Sequence, residues 1–105
     1  MAEITEIIEY VRDENRNPTG CFVAHKTNDG NVVIGWSGYN IKTESVSFSR
    51  AKARKIARGR IESGSDCHIP FRMIVSLPDF EDRCKTYFAV NDQQIIVVGD
   101  IKDNI

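Results

Sequence analysis

The fold is decided by one stretch: Cys21-Phe22-Val23-Ala24-His25-Lys26, then Thr27-Asn28-Asp29-Gly30, then Asn31-Val32-Val33-Ile34-Gly35-Trp36-Ser37. Two runs rich in β-branched and aromatic residues flank an Asp-Gly pair, and both turn residues tolerate the positive φ of a tight connection. The stretch predicts an antiparallel hairpin. Gly35, inside the second run, marks either a bulge or the close approach of another backbone.

Upstream of the hairpin, Ile4, Ile7, Ile8 and Val11 fall at i, i+3, i+4 and i+7. That spacing predicts an amphipathic helix over residues 3–11, with Glu3 and Glu6 near its start, where the helix dipole favours acids. The polar stretch from Asp13 to Gly20, containing Pro18, ends it.

Downstream, a polar loop over residues 37–45 carries Tyr39 and leads to a helix from Arg50 to about Ser63. Ser47 or Ser49 is placed to cap its start, and Gly64 to stop it. The apolar residues Phe71, Met73, Val75 and Leu77 alternate as in a strand, although a short helix after Pro70 fits the same segment. Pro78 then opens a third helix, with Leu77, Phe80, Cys84 and Tyr87 or Phe88 on one face. The run Gln94-Ile95-Ile96-Val97-Val98 predicts a buried strand. The order describes a single α+β domain over residues 1–105, its antiparallel or mixed sheet (the hairpin plus a C-terminal strand) packed by about three helices. An exposed sheet edge remains, and such edges are commonly covered by partners, so a homo-oligomer is expected.

Apolar residues make up 41% of the chain and charged residues 28%, which excludes collagen-like and strongly disordered classes. The longest aliphatic run, Ile95 to Val98, is far short of the ~20 residues of a membrane helix. No membrane association is expected. The start, Met1-Ala2-Glu3-Ile4-Thr5-Glu6, is acidic where a leader would be basic, so a cytoplasmic location is expected. Cys21, Cys67 and Cys84 show no Cys-x-x-Cys spacing and suit a reducing compartment. Cys21 with His25 and Cys67 with His68 could be assembled into a zinc site, but buried free thiols filling the core are the simpler reading, and no metal or other cofactor is expected. There is no Walker loop, no dinucleotide fingerprint and no His-Glu-x-x-His, and Gly35-Trp36-Ser37-Gly38 lacks the spacing of a nucleophile elbow. The sequence reads as a non-enzyme.

Charge is the informative property. The net charge is −1, yet Arg50, Lys52, Arg54, Lys55, Arg58 and Arg60 fall within eleven residues that contain no acid. One basic helix sits on an acidic body. At ~100° per residue, Ala53, Ile56, Ala57 and Ile61 share one face, Arg50, Arg54 and Arg58 form an i, i+4, i+8 row beside it, and Arg60 points towards the packing line. A guanidinium drawn onto an apolar face needs a partner: an internal carboxylate, such as Glu62 or an acid of the N-terminal segment, or an anionic ligand. Trp36 and Tyr39 precede this helix, and aromatics beside arginines are the parts from which base-stacking sites are built. The structural alternatives are a solvated basic face and a tryptophan that merely packs in the core. The candidate ligand-binding residues are thus Arg54, Arg58, Arg60, Trp36, Tyr39 and Arg50. A small anionic ligand, or an acidic host protein, suits them better than long nucleic acid, which the net charge disfavours.

The stretch Val33-Ile34-Gly35-Trp36-Ser37, followed by Phe48-Ser49, Ala53, Ile56-Ala57, Gly59-Arg60, and later by Ile69-Pro70, Phe80, Arg83 and Tyr87-Phe88, resembles small accessory proteins of tailed bacteriophages over residues 30–90. The resemblance implies a host bacterial cytoplasm and an anti-defence role. Such proteins sequester nucleotide second messengers, as the sponges of Thoeris or CBASS signalling do, or block a host enzyme. It carries no binding residue across.

Overall fold

The computed structural model describes residues 5–38, 49–64 and 68–99. Strands β1 (Glu6–Arg12), β2 (Pro18–Lys26) and β3 (Val32–Gly38) are followed by helices α1 (Arg50–Ser63) and α2 (Phe71–Phe88) and by strand β4 (Ile95–Val97). The sheet is mixed: its order is β1-β2-β3-β4, with antiparallel β1–β2 and β2–β3 pairs and a parallel β3–β4 pair. The predicted hairpin is present, and Gly30 takes φ 89° in its turn.

The residues of β2 alternate between two cores. Cys21 and Val23 meet Ala53 and Ala57 of α1, whereas Phe22 and Ala24 join Met73, Leu77, Phe80, Cys84 and Phe88 of α2. Each helix therefore covers one face of the sheet, and β2 and β3, apolar on both faces, form the middle layer. Ala53, Ala57 and Gly35 let α1 lie close. A Cβ on Gly35 would stand 2.6 Å from Cγ1 of Ile61 and closer still to the carbonyl oxygen of Ala57. Gly35 is thus a close approach, and β3 is regular there.

Two elements differ from the sequence reading. The expected N-terminal helix is strand β1 in the part described, with Ile7 and Val11 towards α2 and Ile8 and Tyr10 towards α1. The i, i+3, i+4, i+7 spacing misleads because a segment this short is apolar on both sides. Its β-branched residues and its ladder to β2 then decide in favour of a strand. Asp13 closes the turn that follows, its Oδ1 accepting from the amides of Asn15 and Asn17, each at 2.9 Å.

The expected strand over Phe71–Leu77 and the helix expected from Pro78 are one helix, α2, so the described residues hold two α-helices instead of three. Burial of Met73, Leu77, Phe80, Cys84 and Phe88 follows a helical period, while Phe71 and Val75, half of the apparent alternation, stand 77% and 62% exposed. Pro78 lies inside the helix at an exposed position, where its ring removes one internal hydrogen bond without interrupting the buried stripe. The basic helix is placed as expected, with Ser49 capping the amide of Lys52 and Gly64 in the left-handed conformation.

Candidate functional site

Helix α1 lies over β3 and β2, so its basic residues leave it in two directions. On the β1 side the row Arg50, Arg54, Arg58 runs antiparallel to the strand. Arg58 donates from Nε to Oε2 of Glu6 at 2.8 Å and from Nη2 to Oε1 at 2.6 Å. The same carboxylate contacts Nε2 of His25 on β2. Arg54 donates from Nη1 to the Tyr10 hydroxyl at 2.6 Å, and the Arg50 guanidinium stands 5.2 Å from the Tyr10 ring centroid. Arg58 first, and His25 after it, hold the Glu6 carboxyl down at about 2 against an ordinary 4.5, while partial burial opposes them.

On the other side, β4 pairs with β3 only as far as Ile34, whose carbonyl accepts from Val98 N. Two residues on, the Trp36 carbonyl is left on that same edge, and Arg60 takes the place of a strand there. Its Nη1 donates to the Trp36 oxygen at 2.7 Å, and its guanidinium covers the indole at 4.1 Å from the ring centroid. Trp36 is buried with its core neighbours, and its Nε1 has no hydrogen-bond partner among the described residues.

The six candidate residues are therefore not one constellation. Arg50, Arg54 and Arg58 gather over β1, Arg60 and Trp36 form a separate pair at the β3 edge, and Tyr39 lies outside the described residues. The indole is covered by Arg60 on one side and packed into the α2 core. The aromatic beside the arginine row is Tyr10, which sequence reasoning misses because it places residues 3–11 on a helix. As a strand, the segment puts Glu6, Ile8 and Tyr10 on one side, and that alternation is the available signal.

Electrostatically the two halves of α1 differ. Arg58 is neutralised by Glu6, but Arg50, Lys52, Arg54 and Lys55 have no carboxylate partner among the described residues. The first turn of the helix holds no acid, so Arg50 and Lys52 stand at the positive end of its dipole, each disfavoured by roughly 0.3–1 kcal/mol, with Arg54 and Lys55 in the turn that follows. An anion there would relieve both effects.

Other chemistry finds less support. Cys21 and His25 are four residues apart on one strand, ~13 Å, too far to share a tetrahedral ion, and Cys67 lies outside the described residues. Among the described residues no group of three or more His, Cys, Asp or Glu is placed to hold a metal. Burial raises the Cys21 thiol to about 11 and the Cys84 thiol to about 12, the reverse of what a nucleophile needs. No helix among the described residues is long and apolar enough to cross a membrane.

Fold and site define a small α+β protein, with a helix on each face of a mixed four-stranded sheet and a cationic face on one helix. No family model, no curated protein and no solved structure matches the chain.

Proposed function

We propose that this chain is a non-catalytic binding protein for a small phosphorylated ligand, a signalling nucleotide fitting best, held against α1 and β1. The observation that carries the reading is the pair Arg50 and Arg54, without a carboxylate among the described residues, Arg50 at the positive end of α1 and over the Tyr10 ring and Arg54 on the Tyr10 hydroxyl. Guanidinium forks suit phosphate oxygens, and a tyrosine ring offers a base a stacking surface. Arg58 frames the site through Glu6, and Arg60 with Trp36 supports the helix from the opposite edge. The phage-like pattern of the sequence supplies the setting, sequestration of a messenger in the host cytoplasm by an oligomeric protein.

Calorimetry against cyclic and linear nucleotides tests this. The expected result is saturable heat with at least one of them, weakened about tenfold or more by Arg50→Ala or Arg54→Ala. Absence of heat with every nucleotide, or heat indifferent to both substitutions, overturns the proposal.

A second reading is favoured by Lys52 and Lys55, which project from the exposed side of α1 away from the sheet. They would suit docking on an acidic host protein, blocking it. A stoichiometric macromolecule retained from bacterial lysate, and lost with Lys52→Glu and Lys55→Glu, distinguishes that reading from a ligand sponge.

A further inference from the structure

Among the described residues the sheet ends at β1, and α1 stops one strand short of that edge, reaching β1 through arginine side chains. The side of β1 towards α1, carrying Glu6, Ile8 and Tyr10, is consequently only half-buried. The backbone of the same three residues faces outward. Lys26 N donates to the Thr5 carbonyl at 3.0 Å, so in the antiparallel alternation Thr5, Ile7 and Glu9 bond to β2, and Glu6, Ile8 and Tyr10 direct their N–H and C=O groups away from it.

Among the described residues no strand pairs with that edge. Of the devices that discourage pairing it carries only charge, in Glu6 and Glu9, and each of these carboxylates is engaged by an arginine of a helix. From Glu6 to Val11 there is no lysine, no proline and no bulge, the only irregularity falling between Val11 and Arg12.

We infer that a second copy of this chain adds antiparallel to the outer edge of β1, about a twofold axis through Ile8. In this register Ile8 meets Ile8 of the second copy, and each finishes the burial that α1 leaves incomplete. Glu6 meets Tyr10 of the second copy, which bears that copy's Arg54, so each carboxylate gains a second guanidinium. The neighbouring registers are worse. Shifting the axis to Glu9 sets two carboxylates opposite each other, and shifting it to Ile7 only exchanges the Ile7–Glu9 pairs for Glu6–Ile8 pairs while taking Glu6 away from Tyr10 of the second copy and the arginine it bears.

Pairing also builds a trough. With strands ~4.8 Å apart and helices ~10 Å across, two α1 helices each centred between β2 and β3 stand roughly 19 Å apart, leaving about 9 Å clear over the two β1 strands. Glu6, Ile8 and Tyr10 floor this trough, and Arg50, Arg54 and Arg58 of both copies wall it. That it receives the phosphorylated ligand rests on the function proposed above, whereas the pairing itself does not.

The test uses the wild-type chain in nucleotide-free buffer. Sedimentation across a concentration series is expected to give a dimer mass. Residue-resolved hydrogen exchange is expected to show the outward amides of Ile8 and Tyr10 as protected as the inward amides of Ile7 and Glu9, on the order of a hundredfold slower than unpaired amides. Sedimentation as a monomer throughout, or a dimer whose Ile8 and Tyr10 amides exchange freely, overturns the inference. Because no ligand is present, either failure is separate from a failure to bind nucleotides.

Discussion

Arg58 and Glu6, 52 residues apart in sequence, close a two-pronged ion pair that ties α1 to the edge strand β1. With His25 on β2 in contact with the same carboxylate, one side chain joins three elements. The pair is part-buried, so its worth lies above that of a free surface bridge and well below a fully desolvated one.

The pair gives stability a defined pH dependence. Glu6 titrates near 4.5 unfolded and about 2 folded, so its contribution is complete above 4.5 and is lost as pH falls towards 2. After discounting for solvent screening, about 1–2 kcal/mol is expected. Urea unfolding at pH 7 should show Glu6→Gln destabilised by that amount, and between pH 4.5 and 2 the variant should lose less stability than the wild type.

Gly35 and Gly59 should respond oppositely to alanine. Gly35→Ala drives a methyl into the backbone of α1 and should cost on the order of 2–3 kcal/mol, because the obstacle includes a carbonyl that cannot rotate away. A methyl added at Gly59, within α1, would meet nothing within 4 Å, and Gly59→Ala should raise stability by roughly 0.5–1 kcal/mol through helix propensity. Paired thermal melts check both signs.

Arg60 bonds the β3 edge beyond the last residue that β4 pairs with. Arg60→Ala leaves the Trp36 carbonyl without its donor and uncovers the indole, at an expected cost of about 1–3 kcal/mol. Trp36 is the single tryptophan, so its emission should shift to the red in the folded variant. Arg60→Lys, lacking the planar fork, should restore only part of the wild-type spectrum.

The described thiols should be inert. Cys21 and Cys84 are fully buried, with their ionisation pushed up to about 11 and about 12. At pH 8, peptide mapping after iodoacetamide treatment should find both unlabelled in the native protein and labelled in urea.

How much of this is legible in the sequence varies by element. The hairpin announces itself through Asp29-Gly30, and α1 through Ser49, Gly64 and the spacing of Ala53 and Ala57, because turn chemistry and caps are local. Residues 6–12 and 71–77 mislead because their apolar spacing satisfies both periods. Only the ladder to β2 and the burial of Met73 and Leu77 separate strand from helix there. The candidate site is half legible. The cations are conspicuous, but their sorting depends on where α1 lies across the strands.

By itself, then, the order of amino acids determined the α+β class, the hairpin and a basic helix on an acidic body. These follow from composition and from interactions within a few residues. Tertiary structure alone decided that Arg58 belongs to Glu6, that Arg60 belongs to Trp36, and that Arg50 and Arg54 stand over Tyr10 with no carboxylate partner among the described residues. Partners 24 to 52 residues away are chosen by how a helix crosses a sheet, and no local pattern encodes that crossing.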